Sequence, residues 1–207
     1  MAERHAVAQV TAPNIVVLAG PNGSGKSTTG PALLRDTLGI TKFVNADTIA
    51  QGLSAFDPEG AAIEAGRVML RRIRELAEER ASFAFETTLA SRTFASWLGN
   101  LRETGYRVHV VFLWLPSADL AVERVAERVR LGGHDVPEEV VRRRYRAGLQ
   151  NFFELYQPLA DSWRVYDNSE ADGPRLIAAG EQEHTTAVVD DAAWQQIRKE
   201  SSSGSRD

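Results

Sequence analysis

Short, continuous apolar runs alternate along the chain with longer segments whose apolar residues recur at helical spacing. The first run, residues 15–19, is apolar throughout, which is typical of a central parallel strand covered on both faces. Further strands are predicted at residues 41–45, 82–86, 108–115 and 163–166. Because strand and helix alternate, the pattern predicts an α/β fold with a parallel five-stranded sheet and helices on both faces.

The helices between these strands are predicted from apolar spacing and from residues that favour helix ends. They are expected at residues 26–38, from Asp57 and Pro58 toward Glu79, at 93–104, from Ser117 onward, and from near Pro137 onward. Segments 176–179 and 187–189 are candidates for added edge strands. No repeat or linker divides the chain, so residues 1–200 are predicted to form one domain, followed by a disordered tail at 201–207.

The turn after the first strand carries the strongest chemical signal. Residues 20–27, GPNGSGKS, match the phosphate-binding pattern G-x-x-x-x-G-K-[ST] in full, between a predicted strand and a predicted helix. Glycines let backbone N–H groups converge on phosphate oxygens, and the following helix points its positive end at the same place. A glycine-rich turn without a ligand is the disfavoured alternative. The residues predicted to bind a nucleotide here are Gly20, Pro21, Asn22, Gly23, Ser24, Gly25, Lys26, Ser27 and Thr28.

This motif predicts ATP or GTP together with Mg²⁺. Lys26 is expected to reach the β- and γ-phosphates, and the hydroxyl of Ser27 is expected to bind Mg²⁺. The motif does not by itself say what is done with the nucleotide, so the acids beyond it matter.

Two acids follow predicted strand ends, where side chains project into the ligand crevice of an open α/β sheet. Asp47 is placed to orient or deprotonate an acceptor hydroxyl, and its alternative role is to cap the next helix. Glu86 is placed to hold Mg²⁺ or substrate hydroxyls, and its alternative is a solvated strand end. The fourth strand ends without an acid, so it carries no Walker-B aspartate, and Asp47 or Glu86 must supply the role of that residue if any residue does.

Arginines lie on both sides of a glycine-containing turn at residues 132–134. Two arginine-bearing helices hinged by this turn predict a lid that closes over ATP and brings guanidinium groups to the transferred phosphoryl. The alternative is a pair of solvated helix faces, which is the simpler interpretation for any single arginine. His134 is predicted to be a loop residue. The arginines are Arg124, Arg128 and Arg130 before the turn, and Arg142, Arg143, Arg144 and Arg146 after it.

Composition narrows the class of protein. The net charge is −4 and the pI is near 5.7, which argues against a dedicated nucleic-acid or membrane-surface binder. The chain has no cysteine, which excludes disulfides, thiolate metal sites and cysteine nucleophiles. No signal peptide is recognised and no apolar run reaches the length of about 18 residues that spans a bilayer, so a cytoplasmic location is expected.

The chain resembles the zeta-toxin family of P-loop kinases, in particular the short single-domain members labelled predicted ATPases. The resemblance covers residues 14–194 and rests on AGPNGSGKST, FVNAD, SFAFETTL, RVAERVRLGGHDVPEEVVRRRY and YDNS. It implies a kinase that uses ATP and Mg²⁺. The best-known members phosphorylate a hydroxyl of UDP-N-acetylglucosamine, which starves cell-wall synthesis, and an antitoxin inhibits them.

The resemblance also implies roles for individual residues. By motif position it matches Lys26 and Ser27 to the phosphate and metal residues, Asp47 to the catalytic base, and Glu86 and Thr88 to substrate binding. Its two ATP-clamping arginines are matched by Arg128 or Arg130 and by Arg143 or Arg144. Of these, Arg128 and Arg143 are expected to act on the transferred phosphoryl group.

One departure concerns the acceptor. The nucleotide-sugar kinases have Glu-x-Thr-Leu-Arg, whereas this chain has Ala90 at the arginine position and Arg92 two residues later as the candidate replacement. Three functions therefore stay open: a toxin that phosphorylates a nucleotide sugar, a kinase of a nucleoside or antibiotic without toxicity, and a nucleotide-dependent switch. Any antitoxin is expected to be a separate chain.

Overall fold

A computed structural model describes residues 12–32, 34, 39–54, 60–133 and 135–203. These residues form a central sheet with helices on both faces. The strands are β1 (Asn14–Ala19), β2 (Phe43–Val44), β3 (Phe83–Thr87), β4 (Arg107–Trp114), β5 (Ser162–Asp167), β6 (Arg175–Glu181) and β7 (His184–Val188). The helices are α1 (Lys26–Ala32), α2 (Ala46–Leu53), α3 (Ala62–Glu78), α4 (Thr93–Glu103), α5 (Ala118–Arg130), α6 (Glu138–Asn151), which continues into a π-helical turn (Phe152–Tyr156), α7 (Gln157–Leu159) and α8 (Asp191–Ser203).

The sheet of the described residues has seven strands in the order β2-β3-β1-β4-β5-β6-β7. Strands β1 to β5 pair in parallel, whereas β6 pairs antiparallel with β5 and with β7. The five predicted strands are therefore parallel as expected, but the prediction of a five-stranded sheet is wrong, because the two candidate edge segments form an antiparallel hairpin that extends the sheet to seven strands. Every residue of β7 is exposed, so this strand lacks the buried face whose alternation marks a strand in a sequence.

Strand β1 lies inside the sheet and is buried on both faces. Ile15 and Val17 pack into a large cluster with apolar residues of α3, α4, α6 and α8, whereas Val16 and Leu18 pack into a second cluster. All four side chains are at most 1% exposed. Because successive side chains of a strand point to opposite faces, the buried positions 15–19 of this strand all have to be apolar.

Several predicted boundaries differ from the structure. Helix α1 is described to Ala32, and the remainder of the predicted helix, apart from Leu34, lies outside the described residues. Helix α8 was not predicted, and it includes residues 201–203 of the segment expected to be a disordered tail. Its Trp194 and Ile197 are buried against the sheet, which explains why this segment folds. The predicted helix start at Asp57 and Pro58, the loop residue His134, and residues 204–207 lie outside the described part of the chain.

The strand order places the turn after β1 next to the end of β3. Strand β1 lies between β3 and β4, and Leu18 is in register with Glu86. The carboxyl ends of parallel strands meet at one edge of the sheet, so the β1, β2 and β3 ends open into the same crevice. Among the described helices, none combines the length and the apolar character that crossing a bilayer requires.

Candidate active site

The loop after β1 is held so closely by neighbouring strand ends that glycine is needed at two of its positions. Gly20 and Gly25 have φ angles of +144° and +81°, a region that side chains rarely adopt. A Cβ atom at Gly25 would lie 2.5 Å from Nδ2 of Asn168, and one at Gly20 would overlap the carbonyl oxygen of Leu113. Packing and backbone conformation therefore require glycine at positions 20 and 25.

Lys26 is buried at the floor of this loop. Its side chain is 6% exposed, and Nζ donates to the carbonyl oxygen of Pro21 at 2.8 Å. Nζ also lies 3.7 Å from Oε1 of Glu86. Burial lowers the pKa of Lys26 below its ordinary value of 10.5, while Glu86 and Asp47 oppose the shift. The lysine is thus a desolvated donor beside two acids, where a phosphate can replace the Pro21 carbonyl as its partner.

Glu86 is bound by the loop on one side and by the start of α2 on the other. Its Oε2 accepts hydrogen bonds from Oγ of Ser27 at 3.0 Å and from Nδ2 of Asn45 at 2.6 Å. Burial raises the pKa of Glu86 above its ordinary value of 4.5, although Lys26 and Ser27 favour its charged form. The predicted pairing of Ser27 with Glu86 as metal-site neighbours is consistent with this direct contact.

Asn45 was not among the predicted site residues, yet it connects the two acids. It is 6% exposed, and its Oδ1 accepts from the backbone N–H groups of Asp47 and Thr48 at 2.7 and 3.2 Å. Asn45 is therefore the N-cap of α2, and the alternative interpretation of Asp47 as the capping residue is wrong. An asparagine directly after a strand and before a helix was the available signal.

The loop, the two acids and one face of α5 enclose a cavity of about 460 Å³. Asp47 and Glu86 both border it, and Asp47 is exposed to it at the start of α2. The volume suits a small ligand such as a nucleoside phosphate, since small-molecule sites are typically about 300–1,000 Å³. The lining residues are Asn22, Gly23, Gly25, Lys26, Ser27, Thr28, Asp47, Glu86, Arg124, Glu127, Arg128, Leu131 and Gly133.

Arg124 and Asn168 brace the cavity from the β5 side; Arg124 was predicted only as one of the lid arginines, and Asn168 was not among the predicted site residues. Arg124 donates to the carbonyl oxygens of Asn168, at 2.7 Å, and of Ser169. Nδ2 of the buried Asn168 donates to the carbonyl oxygen of Ser24 at 2.8 Å. These bonds tie α5 and the end of β5 to the phosphate loop. The available signal for Asn168 was its place in the YDNS motif, two residues after the predicted strand at 163–166.

The structure separates the predicted arginines into two groups. Arg128 lines the cavity, whereas Arg130 is 72% exposed, pairs with Glu127 at 2.6 Å and is not among the lining residues. On α6, Arg143 is exposed, and Arg144 is half-buried and interacts electrostatically with Asp47. Neither of the α6 arginines lines the cavity.

The two remaining predicted substrate residues lie on the loop between β3 and α4. Thr88 is half-buried, and its carbonyl oxygen packs against Gly148 of α6. Arg92 is 68% exposed at the start of α4, with Nη1 at 3.8 Å from Oε2 of Glu154. Glu86 and Asp47 therefore share one cavity, while Thr88 and Arg92 lie outside its lining.

The geometry agrees with what comparison with known proteins shows. The family model AAA_33, described as an AAA domain, matches residues 15–155, which include the phosphate loop, both acids and the arginine-bearing helices. An "Uncharacterized protein" of Haemophilus influenzae is 29% identical over 126 residues, covering 61% of this chain and 88% of that protein.

Solved structures share the fold at low sequence identity. The AvrRxo1-ORF1:AvrRxo1-ORF2 complex with sulphate ions has a TM-score of 0.69 at 19% identity, covering 89% of this chain. This chain spans only 63% of that AvrRxo1 chain. The PezAT toxin-antitoxin system of Streptococcus pneumoniae has a TM-score of 0.61 at 13% identity, covering 95% of this chain and 89% of that one. A gluconokinase from Sinorhizobium meliloti has a TM-score of 0.50 at 17% identity, and the match covers 93% of this chain and 91% of the gluconokinase chain. These likenesses identify a P-loop kinase-like fold.

Proposed function

The chain belongs to the AAA_33 family, and on that premise we propose that it is a phosphotransferase that moves the γ-phosphoryl group of ATP to a hydroxyl of a small molecule. One observation carries the proposal. The phosphate-loop lysine and two carboxylates from adjacent strand ends, Asp47 and Glu86, border a single cavity. Nucleotide binding needs only the loop, whereas an exposed acid facing the same space suits an acceptor hydroxyl.

The phosphate loop and its neighbours would hold the nucleotide. Backbone N–H groups of the glycine-rich loop and the positive end of α1 attract the phosphates. Nζ of Lys26 would leave the Pro21 carbonyl and donate to the β- and γ-phosphates. Arg128, which lines the same cavity, would offer its guanidinium to the charge that develops on the γ-phosphoryl oxygens.

The residues present also fit Mg²⁺. Ser27 and Glu86 bring a hydroxyl and a carboxylate oxygen to within 3.0 Å of each other beside the loop. Mg²⁺ commonly binds to one or two such oxygens together with water and substrate phosphates, and when bound it neutralises phosphate charge. Asn45 holds the Glu86 carboxylate in place for this contact.

Asp47 would act as the base. Its carboxylate accepts the proton of the acceptor hydroxyl as the hydroxyl oxygen bonds to the γ-phosphorus and the bond to the bridging β–γ oxygen breaks. ADP leaves with the bridging oxygen. The Asn45 cap binds the backbone N–H of Asp47 in the first turn of α2, and Asp47 lines the cavity, which supports this role.

We further propose a nucleotide sugar of the UDP-N-acetylglucosamine type as the acceptor, with growth inhibition as the consequence and a separate antitoxin chain as the inhibitor. The resemblance to zeta toxins and the shared fold with the PezAT system support this choice. The replacement of the family's arginine by Ala90, and the shared fold with a gluconokinase, favour a second candidate, a kinase of another small alcohol.

An assay with radiolabelled ATP and Mg²⁺ against nucleotide sugars, nucleosides, sugar acids and aminoglycosides tests the proposal. We expect one class of acceptor to be labelled, and Asp47→Asn to abolish labelling while ATP still binds. ATP binding without any labelled acceptor would favour a nucleotide-dependent switch instead. Controlled expression in a bacterial host separates the two kinase candidates, since growth arrest that requires Lys26 and Asp47 indicates a toxin.

A further inference from the structure

Successive turns of α6 and its π-helical extension contact successive residues of the loop between β3 and α4. The hydroxyl of Tyr156 donates to the carbonyl oxygen of Ser91 at 2.7 Å. One turn earlier, Nδ2 of Asn151 donates to the carbonyl oxygen of Leu89 at 2.7 Å. Moving toward the N-terminus of the helix therefore means moving back along the loop toward the end of β3.

The next two positions on this face continue the series. Gly148 packs against the carbonyl oxygen of Thr88 so closely that a Cβ atom would overlap it. Arg144 lies four residues before Gly148 and so shares its face, and helical side chains lean toward the N-terminus. Arg144 thus follows Thr88 in the direction of the strand end, and its electrostatic interaction with Asp47 agrees with this placement.

Arg144 has the properties expected of an anion-binding residue. It is half-buried, and among the described residues its guanidinium takes part in no hydrogen bond or ion pair. Burial and the neighbouring Arg143 lower the pKa of Arg144, while Asp47 opposes the shift. Arginine nevertheless stays protonated, so a bound anion would offset more of the cost of its partial desolvation than the electrostatic interaction with Asp47 does.

We propose that Arg144 binds an anionic group of the acceptor, a carboxylate or a phosphate, while the acceptor hydroxyl faces Asp47. This inference rests on the phosphotransferase function proposed above. Asp47 borders the nucleotide cavity, whereas Arg144 does not line it, so Arg144 is available to a molecule that reaches beyond Asp47. The planar guanidinium suits bidentate binding of either anion.

Calorimetric titration with two pairs of probes tests the proposal on protein saturated with a non-hydrolysable ATP analogue and Mg²⁺. UDP-N-acetylglucosamine is compared with N-acetylglucosamine, and D-gluconate with D-glucitol, which separates phosphate from carboxylate. We expect one anionic probe to bind about tenfold or more tightly than its neutral counterpart. Arg144→Gln should remove that preference, Arg144→Lys should keep part of it, and Arg146→Gln, on the exposed side of α6, should keep all of it.

The proposal is overturned if neither anionic probe is preferred or if Arg144→Gln keeps the preference. It is also overturned if Arg144→Gln weakens binding of the ATP analogue instead, because Arg144 would then hold the nucleotide. Its failure is distinct from failure of the phosphotransferase function. If Arg144→Gln phosphorylates an acceptor with an unchanged KM, the anion site is refuted and the phosphotransferase function stands. If anion binding depends on Arg144 but no acceptor is phosphorylated, the phosphotransferase function is refuted and the anion site stands.

Discussion

Nδ2 of Asn45 lies 2.6 Å from Oε2 of Glu86, so the residue that caps α2 also holds the acid at the end of β3. Asp47 lies in the first turn of the same helix, and its backbone N–H donates to Oδ1 of Asn45 at 2.7 Å. One buried side chain therefore positions the two acids of the proposed site relative to each other, and the asparagine itself adds no charge to the site.

Asn45→Ala should damage both stability and activity. Loss of the N-cap is expected to lower the free energy of unfolding by about 1–2 kcal/mol, measured by denaturant titration. Loss of the donor to Glu86 is expected to lower kcat about tenfold or more. Asn45→Ser is the matched control, because serine caps helices well and cannot replace both amide contacts. Full activity in Asn45→Ser would show that the contact with Glu86 is not needed.

The titration of Glu86 should make stability depend on pH. Because burial raises its pKa, the folded protein holds the proton more tightly than the unfolded chain. This contribution is complete below pH 4.5, the ordinary value, and is lost as the pH rises through the folded-state pKa. The free energy of unfolding of the wild type should therefore fall relative to Glu86→Gln between pH 4.5 and neutrality.

Glu103→Gln serves as the reference for that measurement, since Glu103 is exposed at the end of α4. Its stability relative to wild type should not change over the same range. A constant difference between the wild type and Glu86→Gln would contradict the raised pKa of Glu86.

The sequence left open whether Arg128 or Arg130 acts on ATP, and the structure predicts Arg128. Arg128→Gln should lower kcat/KM for ATP about tenfold or more, since Arg128 lines the cavity. Arg130→Gln should lower it less than about threefold, because Arg130 is 72% exposed and its surface ion pair with Glu127 contributes little. The reverse ranking in steady-state kinetics would show that α5 turns on nucleotide binding.

Two glycine-to-alanine substitutions in helices should change the free energy of unfolding in opposite directions. At Gly148 the new methyl group would overlap the carbonyl oxygen of Thr88, so Gly148→Ala should lower the free energy of unfolding by about 1–3 kcal/mol and disturb the loop beside the acceptor. At Gly99 in α4 the new Cβ would meet, apart from the neighbouring backbone of its own helix, no atom of the described residues within 4 Å, so Gly99→Ala should raise stability by about 0.5–1 kcal/mol. Thermal and denaturant unfolding measure both, and a stable Gly148→Ala protein would show that α6 can move off the loop.

Local pattern was sufficient for the elements that matter most to the site. The continuous apolar run of β1 predicted a strand buried on both faces, and the spacing of glycine and lysine residues after it predicted a phosphate-binding loop. Asp47 and Glu86 could be placed at one crevice because parallel strands end at the same edge. By contrast, β7 was only a candidate strand, because an exposed strand has no hydrophobic alternation to read.

The chemistry-bearing residue types were thus determined by the sequence itself: a triphosphate-binding loop, two strand-end acids and a supply of arginines. Only the tertiary structure decided which arginines line the cavity and which face solvent, because Arg128 and Arg130 lie on different sides of α5 and the sequence does not say which side meets the cavity. It also decided that Asn45 and Asn168 brace the site, since their hydrogen bonds join strand ends separated by up to 144 residues along the chain. Contacts of that range depend on how the sheet is ordered, and no local pattern records them.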